Sequence, residues 1–328
     1  MTSLLITTRV RELAEPRLLA VVPGANLITV DESGTLSGDA GTAEIVFLSS
    51  DLIAWARRSD GVQRAVGRLA GSPALAWLHT ASVGVDHPMF GYLLRRGVRL
   101  TNAPGIHATP IAEYVMAHLL AIAKRIPEHA ALQARAEYLP LDSDELTGKT
   151  LGIVGFGGIG RATAKLARAF GMRIVAVRRT PAPDPLVDRM LPPEGLDELL
   201  SESHAVVLAL PLTNETRGLL DRARLGRLRP DAVLVNVGRG GVVDEAALVD
   251  TLASGRIRAA VLDVHAEEPL PADSPLWRLE RAIVTPHDAS SSPMTLERAI
   301  AGFLLNLDGY VGGRPLADEI HPERPVDR

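Results

Sequence analysis

The chain of 328 residues contains no cysteine. That excludes disulfides, thiolate metal sites, iron–sulfur clusters and a cysteine nucleophile, and it fits a reducing compartment. No run reaches the ~18 uncharged apolar residues that a membrane span needs. Met1 to Val22 is interrupted by Arg9, Arg11, Glu12, Glu15 and Arg17 where a secretory signal would be continuously apolar. A soluble, cytoplasmic protein is the expectation. Cationic excess is lacking as well: 35 Lys and Arg against 39 Asp and Glu leave a net charge of −4. No general field therefore holds a polyphosphate backbone or an anionic bilayer, and neither nucleic acid nor membrane is expected as a partner. Internal repeats, low-complexity tracts and long charge runs are also missing. What is present is a globular mixture, 46% hydrophobic and 23% charged. At about 150 residues per domain, the length predicts two domains with real cores.

From residue 150 onward, short apolar runs recur at Leu151–Val154, Ile174–Val177, Val206–Leu210, Val233–Val235, Ala260–Leu262 and Ile283–Val284. The intervals leave room for a helix between strands, and continuous apolar runs are what strands buried on both faces look like. A parallel, helix-covered sheet of about six strands follows. Helices are expected at Arg161–Phe170, at Asp244–Ala253 with its acidic start, and at Pro293–Val311, where Leu296, Ile300, Phe303, Leu304 and Leu307 form a stripe that should return to the first domain. A looser strand series, Leu4–Thr7, Glu44–Leu48, Ala74–Leu78 and Val98–Thr101, marks a smaller N-terminal domain. Between the two, Ile111–Ala123 is apolar nearly all round, which predicts a helix packed between domains or against a second subunit.

Directly after the strand at Leu151–Val154 stands Gly155-Phe156-Gly157-Gly158-Ile159-Gly160, and a helical pattern opens at once. In that setting Gly155 permits a tight turn, Gly157 lets backbone approach a pyrophosphate, and Gly160 lets helix and strand pack closely. The alternative is a glycine-rich turn without a ligand. The strand before and the strand on schedule after favour dinucleotide binding. Where the second strand ends, at Val177, an NAD site would present an acid to the ribose hydroxyls. Here stand Arg178, Arg179 and Thr180. Two guanidinium groups and a hydroxyl suit a 2′-phosphate, so NADP is the preferred coenzyme and NAD the possible one. The other reading has one arginine stacked on adenine and one solvated.

Three residues near strand ends could meet at the carboxyl edge of the sheet: Arg239, Glu268 and His287. A clamp that polarises a carbonyl, a proton donor for its oxygen, and an acid that keeps the donor charged are what reduction of a 2-oxo acid requires. The remaining histidines, His79, His107, His118, His129, His204, His265 and His321, are read as ordinary satisfied polar residues. Asp86 and His87, adjacent in a loop, are a weak ligand set, and no metal is expected.

At these residues the sequence resembles the D-isomer-specific 2-hydroxyacid dehydrogenases, including their glyoxylate and hydroxypyruvate reductases. Ser82 to His87, Ala112-Glu113, Pro211-Leu212-Thr213, Asn236 to Leu248, Asp263 to Pro269 and Thr285 to His287 all read like family segments. The resemblance implies an α/β protein of two Rossmann-like parallel-sheet domains: a dinucleotide-binding domain (102–287) inserted into a smaller flavodoxin-like substrate domain (1–101 plus 288–328), with a cleft between them. It implies that Arg239 binds substrate carboxylate and carbonyl, His287 is the general acid/base and Glu268 pairs with it. Amides of Val83 and Gly84 would receive the carboxylate from the smaller domain. Beside the glycine motif, Pro211, Thr216, Val237 and Asp263 would line the coenzyme, Asp263 orienting the nicotinamide amide. A homodimer and a small 2-oxo or 2-hydroxy acid as ligand follow from the same resemblance. Departures exist: Arg178-Arg179-Thr180 replaces the acidic version of NAD-using relatives, and Ala134–Leu146 lacks the tryptophan of some glyoxylate-reducing members. With little sequence beyond about residue 315, the regulatory domain of the long phosphoglycerate dehydrogenases is not expected. Two rival functions remain at this point. A formate dehydrogenase would carry glutamine in place of Glu268, and a dinucleotide-sensing corepressor-like protein could retain the same trio.

Overall fold

Alternate residues along each apolar run feed two different cores, which is why the runs are continuous. In the computed structural model, which describes residues 2–56, 58–82, 84–85 and 87–321, Val206 and Leu208 point to one cluster while Ala205 and Val207 point to the other. The same period of two divides Leu4 and Ile6 from Leu5 in the first strand.

The chain forms two compact units, Met1–Ile106 with Ser292–Arg328, and His107–Ser291. The first opens with β1 (Ser3–Thr7), α1 (Thr8–Val21), β2 (Asn26–Val30), β3 (Ile45–Leu48), α2 (Ser50–Ala56), α3 (Asp60–Gly71), β4 (Trp77–Thr80), α4 (Pro88–Arg95) and β5 (Arg99–Thr101). The second comprises α5 (Ala108–Ala123), α6 (Ile126–Ala134), β6 (Thr150–Val154), α7 (Gly158–Ala169), β7 (Arg173–Val177), β8 (Arg189–Leu191), α8 (Leu196–Glu202), β9 (Ala205–Leu208), α9 (Arg222–Leu225), β10 (Val233–Asn236), α10 (Glu245–Ala253), β11 (Ala259–Leu262) and β12 (Ala282–Val284). The chain then returns to the first unit through α11 (Pro293–Val311) and β13 (Glu319–Ile320).

Among the described residues, the second unit is a seven-stranded sheet ordered β12-β11-β10-β9-β6-β7-β8, with every pairing parallel. The first is a six-stranded sheet ordered β13-β5-β4-β3-β1-β2, parallel except for β13. Three strands were not anticipated. In β2, Asn26 and Thr29 break the apolar run, although Ile28 and Val30 are buried. β8 is a three-residue, half-exposed edge strand, and β13 is two residues held antiparallel to β5.

Helix α5 packs on α7 within the second unit: Ile111, Val115, Met116, Leu119 and Ile122 join Ile153, Ala164 and Ala167 in one cluster. That face of the helix is therefore buried within the second unit itself. Helix α11 starts at the Ser292 cap, whose hydroxyl accepts from the Met294 N–H, with Pro293 in the first turn. Its stripe enters the first unit's core, where Phe303 stacks on Phe47 with ring centroids 4.5 Å apart. Among the described residues no helix is long and apolar enough to cross a membrane.

Candidate active site

In the seven-stranded sheet the chain runs outward from β6 through β7 to β8, then returns to the other side of β6 with β9. The carboxyl ends of β6 and β9 therefore flank a topological switch point, where open α/β sheets bind ligands. The glycine loop leaves β6 there. Gly155 has φ +97°, and a Cβ on it would lie 2.7 Å from the Ala209 carbonyl oxygen. At Gly160 a Cβ would lie 2.5 Å from the Gly155 carbonyl oxygen, so this helix turn sits directly on the strand. Around Gly157 there is open space, and Gly157 starts α7 without a side-chain cap. The first-turn amides of Gly158, Ile159 and Gly160 thus keep free donors beside a gap, which fits a pyrophosphate.

Arg178, Arg179 and Thr180 follow β7 and are exposed. Neither guanidinium has a hydrogen bond or ion pair among the described residues, though Arg179 acts on Glu215, whose carboxyl is held below its usual range mainly by the Thr213 hydroxyl. The loop after β9 is braced by Thr216, whose hydroxyl donates to the Pro211 carbonyl (2.7 Å) and accepts from the Thr213 N–H (2.7 Å). The buried Val237 continues the ladder beyond β10, its N–H donating to Leu208 at 3.1 Å.

Because β10, β11 and β12 are adjacent and parallel, with Asn236 beside Leu262 and Leu262 beside Val284, the segments after them leave one edge of the sheet side by side. Arg239 sits in the first. Asn236 braces that turn from both ends, accepting from the Gly238 N–H and donating to the Arg239 carbonyl, each at 3.1 Å. Gly240 lies so close to the next segment that a Cβ would fall 1.9 Å from the carbonyl carbon of His265.

Glu268 and His287 meet directly: His287 Nδ1 donates to Glu268 Oε2 at 2.8 Å. The pair is partly exposed, 28% for the imidazole and 37% for the carboxylate, so a ligand can reach it. Nε2 of His287 has no partner among the described residues. Burial pushes the Glu268 carboxyl up, but hydrogen bonds from His287 and from the His265 N–H, with the charge on the two imidazoles, outweigh it and hold the carboxyl below its usual range. A lowered carboxyl contributes stability above its unfolded value of about 4.5 and loses it as pH falls through the lowered folded value. The difference in thermal midpoint between wild type and E268Q should therefore be full above that pH and vanish at more acid pH. A difference independent of pH would contradict the pairing.

His287 itself is left-handed at φ +56°, a conformation costing a non-glycine residue roughly 1–2 kcal/mol. Its neighbours hold it there. Asp263, 3% exposed, accepts from the N–H groups of Asp288 (2.9 Å) and Ala289 (3.2 Å) and from the Thr285 hydroxyl (2.7 Å). Expected to orient a nicotinamide amide, Asp263 here directs its hydrogen bonds to the loop carrying His287. The Thr285 oxygen in turn accepts from Tyr114 (2.7 Å), whose phenol burial pushes up to about 12.

Of the expected carboxylate-binding residues in the first unit, Gly84 lies in the loop between β4 and α4, while Val83, like Asp86, lies outside the described residues. Asn236, Thr285 and Tyr114 received no role from sequence. An asparagine two residues before a glycine N–H is a recognisable Asx-turn signal, but the other two act across strands and have no local signature.

Comparison with known proteins points to one family. Residues 116–289 match the family described as D-isomer specific 2-hydroxyacid dehydrogenase, NAD binding domain. A D-3-phosphoglycerate dehydrogenase of Mycobacterium bovis is 36% identical over 77% of this chain and 50% of its own. This chain thus spans about half the length of those relatives. A glyoxylate reductase of Aeropyrum pernix is 36% identical over 75% of this chain and 76% of its own. A crystal structure of a D-isomer specific 2-hydroxyacid dehydrogenase from Xanthobacter autotrophicus, in complex with NADPH and MES, superposes with a TM-score of 0.75 at 28% identity, covering 98% of both chains.

Proposed function

The chain belongs to the D-isomer-specific 2-hydroxyacid dehydrogenase family, and on that premise we propose that it reduces a small 2-oxo acid to the D-2-hydroxy acid. The observation that carries this reading is the 2.8 Å pair of His287 and Glu268, on the sheet edge that also carries Arg239. Glu268 engages Nδ1 and leaves Nε2 as the atom that can give a proton to a substrate oxygen. Arg239 offers a fork of donors for the substrate carboxylate and for the charge that develops on the carbonyl oxygen. The carboxylate of Glu268, being ionised, favours the charged imidazole that must donate. When bound, the nicotinamide would supply a hydride, two electrons with their hydrogen, to the substrate carbon. His287 completes the alcohol with its Nε2 proton and regains one from water. Acting in reverse, neutral His287 takes the hydroxyl proton.

The residues that would hold the coenzyme are Gly155, Gly157, Gly158, Ile159 and Gly160 for its pyrophosphate, with Pro211, Thr216, Val237 and Asp263 along the rest. NADPH is the proposed form, because Arg178 and Arg179 stand exposed, without an ion pair among the described residues, where an acidic residue would mark NAD. The NADPH complex of the Xanthobacter protein is consistent with that. The subunit is proposed to act as a homodimer in the cytoplasm.

The test is oxidation of NADPH and NADH, followed in parallel across a panel of 2-oxo acids with chiral analysis of the product. D-product with NADPH preferred is the expected result. Replacing Arg178 and Arg179 together by alanine should lower kcat/KM for NADPH about 10- to 100-fold, at roughly 1.5–3 kcal/mol for a charge-assisted contact, and barely change NADH. Preference of the wild type for NADH would overturn the coenzyme assignment. Coenzyme binding without turnover of any 2-oxo acid would overturn the reaction and favour a sensing role.

A further inference from the structure

His265 touches all three of the segments that carry Arg239, Glu268 and His287. Its backbone N–H donates to Glu268 Oε1 at 3.1 Å. Its ring Nε2 donates to the Thr285 carbonyl at 3.1 Å, two residues before His287. Its own carbonyl is the group against which Gly240, next to Arg239, is pressed. The residue is 7% exposed, and its two hydrogen bonds are partly buried.

We propose that His265 is the positioning residue that sets the mutual geometry of Arg239, Glu268 and His287, a proposal that rests on the reductase reading above. The contacts close a ring: Glu268 to the His265 N–H, the His265 ring to Thr285, the chain through Pro286 to His287, and His287 Nδ1 back to Glu268. A closed ring fixes the separation of donor and carboxylate, whereas Glu268 bonded to His287 alone could swing with it. The ring's role is a tether, not a proton relay. A carbonyl can only accept, so Nε2 carries the hydrogen, and Nδ1 is buried with no partner among the described residues. The neighbouring segment is pinned in addition by Glu245, which accepts from the Ala266 N–H at 3.0 Å. Loss of the ring contact should therefore loosen the His287 side of the site without unfolding the Glu268 turn.

The experiment compares the full-length wild type with H265F, which keeps the ring volume and removes the donor, and H265Q, whose amide can still reach the Thr285 carbonyl. Two measurements are made. In coenzyme-free protein labelled with ¹⁵N at histidine, the proton on His287 Nδ1, held by Glu268, should give a slowly exchanging signal in wild type and H265Q and be lost in H265F. In turnover with NADPH, H265F should lose about 10- to 100-fold in kcat, as a small misplacement of reacting groups does, with KM for NADPH within about twofold of wild type. H265Q should stay within about threefold. Wild-type kcat together with an unchanged His287 signal in H265F overturns the proposal. Equal losses in H265F and H265Q overturn it too, since packing rather than the tether would then be responsible. If the wild type reduces no 2-oxo acid, the reductase reading fails, and the ¹⁵N comparison alone decides whether His265 holds the pair.

Discussion

Replacing His287 by alanine should lower kcat for reduction of the preferred 2-oxo acid about 10²- to 10⁴-fold, the range that a positioned general acid supplies. Coenzyme affinity, read by titration of NADPH fluorescence, should stay within about twofold, because the phosphate loop lies across the sheet after β6 while His287 follows β12 at its edge. The stability of the variant should fall modestly, because the pairing with Glu268 is lost. His287 adopts φ +56° at a cost, and alanine tolerates that backbone no better, but the Asp263 contacts to Asp288 and Ala289 that impose it are left intact. E268Q should lose less than H287A. A glutamine oxygen still accepts the Nδ1 proton, so orientation survives while the charge that favours the imidazolium is removed. A His287→Ala enzyme that keeps most of its turnover would refute the assignment of the proton donor.

The second large effect is expected at a residue without a side chain. A methyl group at Gly240 would lie 1.9 Å from the carbonyl carbon and oxygen of His265 and 2.5 Å from the Ala266 nitrogen, all of them backbone atoms. Backbone on both sides cannot yield as a flexible side chain can, so G240A must push apart the Arg239 turn and the segment that carries His265 and Glu268. Overpacking of this kind costs roughly 1–3 kcal/mol or somewhat more, which for a unit of this size lowers the thermal midpoint by about 5–10 °C. Activity should fall further than stability, on the order of 10²-fold in kcat/KM, since a shift of about 1 Å between catalytic groups is enough. G157A is the matched control. Its methyl group meets open space, so the midpoint should not change, while NADPH binding weakens where the pyrophosphate would approach. A G240A protein with wild-type midpoint and turnover would mean that the two segments are not held as tightly as their separation indicates.

How much of this was readable beforehand depends on how local each cause is. The glycine loop, the β6 and β7 runs around it and the acidic start of α10 are legible because each rests on backbone sterics or on a local hydrogen bond, as where Asp244 accepts from the Ala247 N–H. The basic Arg178-Arg179 pair and the order of Arg239, Glu268 and His287 were equally plain. Less was visible where polar residues interrupt a strand, as in β2, or where the strand is short and exposed, as in β8. The apolar pattern over Ile111–Ala123 announces a buried helix, but an all-round apolar pattern does not say against what, and the contact with α7 in the same unit is visible only in the fold.

What is readable along the chain is residue types and their places: an arginine, a carboxylate and a histidine each just beyond a strand, and a glycine loop after the first strand of the second unit. Tertiary structure decided which of these meet. The segments that carry residues 239, 268 and 287 leave one sheet edge side by side because β10, β11 and β12 are neighbours in one parallel sheet, with carboxyl ends level to within the register of Asn236, Leu262 and Val284, and Glu268 and His287 are in direct contact. Adjacency of strands is a long-range property, set by how the crossover helices pack, and no spacing along the chain encodes it. For that reason His265 reads from sequence as one of several ordinary histidines, and only the closeness of β11 to β12 and of Gly240 to its carbonyl brings it against the segments of all three candidate residues.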